Sequence, residues 1–425
     1  MPRQFRQSMD PVLMGAGNGI RKWDWKESFA ALRYPNYRLW FLGQMGSLIG
    51  TFMQVTALGF LIFELTNSQA YLGYVGFAAG VPSWFLMLYG GVVSDRVPRR
   101  TLLMIVQAYM MILALVLSIL TLTGMVTPFH ILAIALLGGI GNAFDAPARH
   151  SFVLEMVSKE DLTNGIALNS IMFNSATMVG PAVAGILYAT SGPGVCFLIN
   201  AISYLTVLLA LWRMRLQPAP GRISGNSTLQ DLREGIRYIV TNRTIRRLIG
   251  ITWTISLFGM SYVTLLPAWA VNILGGDAAT NGWLQSARGA GAFCGAFMIA
   301  LLGRIRDRER LISVSSIIVS VLLIVFSLFD WLPIALILLL AIGWAIMTVF
   351  NLANATIQTH APDHLRGRVM SVYSLVFFGS MPVGSLMAGS LAEWLGEPNS
   401  VRLTALAALV FLAVIGHDKS ETAAT

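Results

Sequence analysis

The sequence has few charged residues, almost no cysteine and little histidine, and each shortage excludes a class of protein. Only 12% of its 425 residues are charged, 56% are hydrophobic, and the mean hydropathy is +0.68, far above that of a water-soluble domain. The two cysteines, Cys196 and Cys294, have no metal-site spacing and give no disulfide framework. The composition therefore predicts an integral membrane protein.

Motifs of ordinary enzymes are missing as well. Of the five histidines, only His360 and His364 are four residues apart, and no carboxylate pattern completes a metal site. No GxxxxGK[ST] phosphate-binding loop occurs, so we predict no ATP hydrolysis by that route. We therefore predict no enzyme, no cofactor and no metal, and any uphill transport would use an ion or solute gradient.

Long uncharged runs occupy most of the chain. A helix needs about 20 apolar residues to cross a hydrocarbon core of about 30 Å, whereas strands of a membrane barrel would be about ten residues long and would alternate in polarity. The runs are continuous, so we predict an all-α membrane protein with twelve transmembrane helices, spans 1 to 12. They lie at 39–64, 70–94, 101–123, 129–148, 165–190, 193–213, 247–272, 281–303, 311–329, 332–357, 368–394 and 399–416.

Basic residues collect on one side of this arrangement. Of 29 Lys and Arg residues, 27 lie before span 1, after span 12 or in the connections that follow even-numbered spans. The exceptions are Arg288 and Arg402. The positive-inside rule then places both termini in the cytoplasm. Topology and contact with anionic lipid account for the net charge of +9, so we predict no nucleic-acid partner.

Two motifs occur once in each half of the chain. GxxxDR follows span 2 and recurs 212 residues later after span 8, while VGPAVAG in span 5 and VGSLMAG in span 11 are 204 residues apart. These offsets predict two pseudosymmetric six-helix halves and a secondary transporter. The positions are Gly91, Asp95 and Arg96; Gly303, Asp307 and Arg308; Gly180 and Gly185; Gly384 and Gly389.

The largest internal polar segment separates the two halves. STLQ at 227–230 is typical of a helix-capping box, and the apolar residues Leu229, Leu232, Ile236 and Ile239 follow at helical spacing. We predict an amphipathic helix on the cytoplasmic face. The expected organisation is a cytoplasmic N-terminal segment 1–38, a six-helix half 39–213, a linker 214–246, a second half 247–416 and a cytoplasmic tail 417–425.

The twelve-span layout, the loop GGVVSDRVPRR at 90–100 and the span 5 motif together resemble the major facilitator superfamily. The nearest resemblance is to its branch of drug and siderophore exporters, which includes enterobactin and macrolide exporters. That similarity is carried by LRYPNYRLWFLGQ before span 1, FDAPARHSFVLEMVSKEDLTNGIALNS between spans 4 and 5, and DHLRGRVMSVYSLVFFGSMPVGSLMAG through span 11. It covers essentially the whole chain and implies the major facilitator fold.

The resemblance implies that the basic loop latches the two halves together in the outward-open state. Asp95 would accept hydrogen bonds from the start of span 11 at 366–369, where an anion is favoured. Pro98 stands where a glycine is common, which predicts a stiffer turn, and a pure topology signal is the alternative. The predicted latch residues are Gly91, Asp95, Arg96, Arg99 and Arg100, with Gly303, Asp307 and Arg308 in the second copy.

In span 5, ATMVGPAVAG at 176–185 matches the family's antiporter motif GxxxGPxxGG, with Ala176 and Ala184 in place of glycines. Small residues let helices approach closely, and a proline removes a backbone donor. The motif's association with export favours efflux, and plain close packing is the alternative. The predicted packing residues are Gly180, Pro181, Gly185, Gly384 and Gly389.

Polar side chains repeat on one face of spans 1, 4, 8 and 10. Because a polar face in lipid costs free energy, it implies a protein or water neighbour, and in the family spans 1, 4, 7 and 10 line a central cavity. Interhelical hydrogen bonding is the alternative. The candidate cavity residues are Gln44, Thr51, Gln54, Asn142, Gln285, Arg288, Asn351 and Asn354.

Two of the charged residues inside predicted spans are candidates for a functional role. A lipid-facing Arg288 would cost about 2.5–3.5 kcal/mol, so we expect it to contact the cavity, with snorkelling or a structural ion pair as alternatives. Asp145 lies one helical turn before Arg149, which favours an ion pair. Proton exchange by Asp145 is the second interpretation.

These observations predict a monomeric secondary transporter in the bacterial inner membrane. It would export a small, partly hydrophobic drug or siderophore-like metabolite by alternating access. Proton antiport follows from the family resemblance, and the expected partners are the substrate, protons and lipids. A nutrient importer and a non-transporting receptor or scaffold are the alternatives.

Overall fold

The computed structural model describes residues 29–215, 228–302, 305 and 307–417, and these residues are almost entirely helical. A helix lies at each predicted span, which confirms the fold class. In the described residues, ten helices meet the length and hydropathy expected of a membrane crossing, and spans 2 and 8 are 28 and 25 residues long. Spans 1 to 12 are Pro35–Thr66, Gln69–Arg96, Arg99–Leu122, Pro128–Phe152, Leu162–Ser191, Pro193–Arg213, Arg243–Ile273, Ala278–Leu302, Arg308–Phe326, Leu332–His360, Arg366–Leu395 and Glu397–His417.

The two halves repeat the same helix neighbours. Span 2 packs on span 4 and span 3 on spans 4 and 6, while span 8 packs on span 10 and span 9 on spans 10 and 12. Spans 1 and 5 are in contact, as are spans 7 and 11. The turns repeat as well: Gly192 (φ 81°) ends span 5 and Gly396 (φ 80°) ends span 11, a left-handed conformation that favours glycine.

Because the spans alternate in direction, the first residue of span 1 and the last of span 12 lie at the same end of the bundle. We call this the basic end, since the arginine-rich connections also lie there, and the opposite end the far end. The halves meet where span 2 packs on span 11 and span 5 packs on span 8. Each half also has apolar packing of its own, such as the Trp40–Phe152 and Trp269–Phe326 ring contacts at 5.4 and 4.5 Å.

Span 7 is the irregular helix of the bundle. Regular α-helix extends over Arg243–Thr254 and is followed by a π-helical turn at Ile255–Gly259, a 3₁₀ segment at Ser261–Leu265 and a second π-helical turn at Trp269–Ile273. Pro267 contributes, because it has no backbone N–H to donate. Such turns often occur at functional sites.

A linker helix, Thr228–Thr241, lies between the halves at the predicted place. The predicted capping residue Ser227 lies outside the described residues, as do the side chains of Leu229 and Leu232. Ile239 is buried and Ile236 is exposed. Span 7 begins at Arg243, inside the predicted linker, because the Asn242 side chain caps it by accepting a 3.0 Å hydrogen bond from the Ile245 backbone N–H.

Candidate transport pathway

Hydrogen bonds join the two halves at the far end. Glu393 of span 11 accepts from Ser68 Oγ at 2.7 Å and from the Ala70 backbone N–H at 3.0 Å. Glu397, at the start of span 12, accepts from Gln69 Nε2 at 2.8 Å. We call these contacts the far-end seal, and they close the seam between spans 2 and 11.

The glycines of the repeated motif make equivalent contacts in the two halves. A Cβ added to Gly180 would lie 2.7 Å from Phe52 Cβ of span 1, and one added to Gly384 would lie 2.3 Å from Leu257 O of span 7. The second glycine of each motif faces the other half: Gly185 meets Ala279 of span 8, and Gly389 meets Gly73 of span 2. Each motif therefore joins its own half to the opposite one.

Pro181 belongs to the same seam. Its carbonyl oxygen would lie 2.6 Å from a Cβ added to Gly282 of span 8. Further along, Gly289 packs on Thr177 O at 2.4 Å by the same measure. Spans 5 and 8 thus touch backbone to backbone from Thr177 to Gly185.

Toward the basic end the two halves separate. Trp84 Nε1 of span 2 still donates to Gly379 O of span 11 at 2.9 Å, but a Cβ added to Gly91, two turns on, meets nothing within 4 Å. Ser170 lies eleven residues before Pro181 and therefore on the same helical face, and its side chain is exposed. On span 11, Phe378 lies on the equivalent face and is 44% exposed. These positions indicate looser packing between the halves at the basic end than at the far-end seal.

Two of the three polar candidates on span 1, Thr51 and Gln54, contact span 6 of their own half, whereas the side-chain oxygen of Gln44 has no hydrogen-bond partner. Thr51 Oγ1 lies 3.3 Å from Tyr204 Oη, and Asn200 Nδ2 of span 6 donates to Gln54 Oε1 at 2.8 Å. Gln44 is 2% exposed. These contacts match the alternative of interhelical hydrogen bonding, and cavity lining by these three residues stays a prediction.

Asp145 lies in a buried polar cluster of the first half. It is 7% exposed, accepts from Gln107 Nε2 of span 3 at 2.8 Å, and lies 3.5 Å from Arg149 Nε. Asn142, one turn earlier, is exposed. The ion pair that the sequence favoured is therefore present. Proton exchange by Asp145 stays a prediction.

The candidate residues of the second half lie on spans 8 and 10. Gln285 is 8% exposed and Arg288 is half-buried one turn further on. On span 10, Asn351 and Asn354 are half-buried, and Asn354 Oδ1 accepts from Gln358 Nε2 at 2.7 Å. The two spans pack closely, since there is no room for a side chain at Gly343 of span 10. A Cβ added there would lie 2.1 Å from the backbone oxygen of Arg288.

The predicted latch residues at the basic end hold their own half together where they are described. Arg99 pairs with Glu155 at 2.8 Å and Arg100 donates to Trp212 O at 2.9 Å, while Arg96 is exposed. In the second copy, Asp307 is exposed and precedes the half-buried Arg308. The Asp95 side chain and Gly303 lie outside the described residues.

The start of span 11, predicted to face Asp95, contacts the linker helix. Arg368 forms an ion pair with Glu234, and a Cβ added to Gly235 would lie 2.8 Å from Arg368 O. A latching role for the basic loop therefore stays a prediction.

The chain matches, over residues 26–421, the family described as transmembrane secretion effectors. The chain belongs to this family of the major facilitator superfamily. It is therefore a multi-pass membrane transport protein and not an enzyme, in agreement with the sequence prediction. Among the described residues, no group of three or more His, Cys, Asp or Glu side chains is placed to hold a metal ion.

Curated relatives cover most of the chain. It is 26% identical to the multidrug efflux pump Tap of Mycolicibacterium fortuitum, over 82% of this chain and 87% of that protein. It is 24% identical to the staphyloferrin A transporter of Staphylococcus aureus, with the same coverage. A solved bacterial homologue of the human lysosomal transporter Spinster, inward-facing and occupied, has the same fold (TM-score 0.70, 14% identity, 90% of this chain and 95% of that one).

One feature of the transporter's pathway was not predicted from the sequence. The rings of Phe52 on span 1 and Phe173 on span 5 are 5.3 Å apart, edge to face, and Phe173 is 41% exposed. Phe41, Met45 and Phe52 recur at helical spacing on span 1. This apolar spacing is the sequence pattern that could have predicted the surface. The first half therefore presents an aromatic surface beside the seam.

Proposed function

We propose that this secretion-family transporter exports a small, partly hydrophobic molecule, a drug or a siderophore-like metabolite, across the bacterial cytoplasmic membrane. Transport would proceed by alternating access and would be driven by proton antiport. Both termini would be cytoplasmic and the transporter would act as a monomer in contact with membrane lipids.

The geometry of the pathway is the observation that carries this proposal. The far-end seal closes one end, and the faces of spans 5 and 11 that would otherwise meet the other half are exposed toward the basic end. If the basic end is cytoplasmic, as the positive-inside rule predicts, this is the state in which a molecule enters from the cytoplasm. Phe52 and Phe173 offer it an aromatic surface.

The direction of transport rests on the relatives. One is named a multidrug efflux pump and another a transporter of staphyloferrin A. Export of either class of molecule requires the far end to open while the basic end closes. The glycine contacts of Gly185 and Gly389 provide seams on which the halves would rock.

Asp145 is the carboxylate we assign to proton coupling. It is buried within span 4 and its partners are Gln107 and Arg149. A buried carboxylate beside a cation can exchange a proton when the ion pair opens during a conformational change.

The test is transport by the purified protein in liposomes. Ethidium, tetracycline, erythromycin and an iron-free siderophore would be measured with a proton gradient, with the gradient dissipated, and in empty liposomes. Gradient-dependent movement of at least one compound toward the far-end side supports the proposal. Movement only in the opposite direction favours an importer, and no movement of any compound contradicts a transport function for these classes.

A further inference from the structure

Arg288 is a cation in the middle of a membrane helix, and its position in span 8 is well defined. Ten residues separate it from Ala278, the first residue of the span, which corresponds to about 15 Å along the axis. Trp283 and Phe297 are each 47% exposed and lie about 140° and 180° around the helix from Arg288. Arg288 therefore points away from the apolar outer face, toward the interior of the bundle.

The residues around Arg288 leave its charge unbalanced. In the described part of the chain it forms no ion pair, and its buried Nε has no hydrogen-bond partner. Every acid within the spans whose side chain is described is bonded elsewhere. Glu64 bonds to Tyr188, Asp145 to Gln107 and Arg149, Glu309 to Arg247, Glu393 to Ser68, and Glu397 to Gln69 and Asn272. The acids whose side chains the structure describes therefore supply no anion for this guanidinium.

A second polar group in the same half also lacks a partner. Tyr262 is 1% exposed, its hydroxyl has no hydrogen-bond partner, and it lies in the same buried cluster as Leu284 of span 8, one turn before Arg288. It lies in the irregular part of span 7, between the two π-helical turns. Asn281, two turns before Arg288 on the same helical face, is fully buried with both side-chain polar atoms unpartnered.

A cation whose buried Nε has no partner, together with unpartnered donors in the same half, is stabilised by an anion that accepts from the cation and from the donors. We propose that Arg288 and Tyr262 form a subsite for a carboxylate group of the transported molecule. This inference rests on the proposed transport function and narrows its substrate class to amphipathic organic acids. The guanidinium binds the carboxylate oxygens, the Tyr262 hydroxyl donates to the same group, and the aromatic surface of Phe52 and Phe173 receives the apolar part.

Matched acids and esters test the subsite directly. Fluorescein and its methyl ester, and rhodamine 110 and its methyl ester rhodamine 123, would be titrated with the full-length protein in detergent, with fluorescence anisotropy as the readout. We expect the protein to bind each acid more tightly than its ester. Arg288→Gln should weaken binding of the acids by about tenfold or more and leave binding of the esters unchanged.

Two further variants separate the subsite from a folding effect. Arg288→Lys keeps the charge but loses the two-pronged geometry, so it should retain part of the preference for acids. Tyr262→Phe removes only the hydroxyl and should weaken acids alone. Arg310→Gln removes an exposed arginine at the basic end and should change neither. Size-exclusion profiles and thermal unfolding would show that each variant is folded.

Equal binding of acids and esters by the unaltered protein would overturn the inference, as would failure to bind either acid or unchanged acid binding by Arg288→Gln. The liposome assay keeps the proposed function separate. Export of ethidium without any acid preference would leave the exporter intact and remove the subsite. Arg288-dependent binding of acids without transport of any compound would contradict the exporter and leave the subsite.

Discussion

Glu393 of span 11 binds the beginning of span 2 through Ser68, whose hydroxyl donates to Glu393 Oε2 at 2.7 Å. The same oxygen accepts from the Ala70 backbone N–H at 3.0 Å, so a carboxylate from one half caps the first turn of a helix in the other. An anion is favoured at a helix N-terminus. Closure of the far end therefore depends on a charge that one half supplies to the other.

The two acids of the far-end seal should differ in importance. Glu397 is 4% exposed, bonded to Gln69 of the other half and to Asn272 of its own, whereas Glu393 is exposed. Glutamine keeps an acceptor oxygen but removes the charge, and a hydrogen bond to a charged acceptor is about twice as strong as one to a neutral acceptor. The weakening matters more for a buried group than for an exposed one. Glu397→Gln should therefore populate the far-end-open state more than Glu393→Gln does.

Spin labels measure this opening. Cysteines at Thr123 and Asn399, both exposed far-end residues of opposite halves, would be labelled after Cys196 and Cys294 are replaced. We expect a longer distance between the two labels in the Glu397→Gln variant than in the protein with both acids intact. Asp330→Asn, a matched change at an exposed far-end acid, should leave the distance unchanged. Equal distances in all variants would show that the acids do not hold the seal.

Gly389→Ala should separate spans 2 and 11. The added Cβ would lie 2.7 Å from Gln69 O and 2.8 Å from Gly73 Cα, both backbone atoms, so the helices must move apart. Overpacking of this kind costs about 1–3 kcal/mol. We expect a lower unfolding temperature in detergent and the same longer label distance as in Glu397→Gln.

Gly138→Ala is the matched control for this seam. It lies within span 4, and a Cβ there meets nothing within 4 Å. Alanine is favoured over glycine in a helix by about 1 kcal/mol, so this variant should be as stable as the unaltered protein or more so. Equal destabilisation by both substitutions would contradict a specific role for the Gly389 contact.

Charge reversal tests the contact between the linker helix and span 11. Glu234 pairs with Arg368, and both side chains are partly exposed. A pair of this kind contributes about 1 kcal/mol or less, so Glu234→Arg and Arg368→Glu should each slow transport modestly, and the double variant should recover. Rates in liposomes measure this coupling. If the double variant loses as much transport rate as the two single variants together, the Glu234–Arg368 pair is not the cause of the slower transport.

Hydropathy predicted the twelve spans because a lipid core requires a long apolar run whatever the neighbouring helices are. The repeat of glycines at Gly180 and Gly384 predicted equivalent contacts, since small residues set how closely helices approach. The family match and the observed helices agree with the predicted spans.

Other features depend on how each helix is turned about its axis, and periodicity alone does not fix that angle. Thr51 and Gln54 form a polar stripe, but the structure directs them to span 6. Span 7 changes helix type around Tyr262, and Pro267 alone does not specify where the two π-helical turns lie. The unbalanced charge of Arg288 became visible only when the partners of the acids were known.

Asp145→Asn separates proton coupling from structure. The asparagine still accepts from Gln107 through its amide oxygen but cannot bind a proton, and the Arg149 ion pair is lost. If Asp145 carries the proton, gradient-driven export stops while exchange of substrate across the membrane without a gradient continues. If the ion pair is only structural, Arg149→Gln and Asp145→Asn should lower the unfolding temperature and reduce both activities alike.

Glu160→Gln, an exposed acid at the basic end, should change neither activity. Gradient-driven export at the unaltered rate in Asp145→Asn would exclude this residue as the proton carrier, because an amide has no titration in the range that a proton gradient spans.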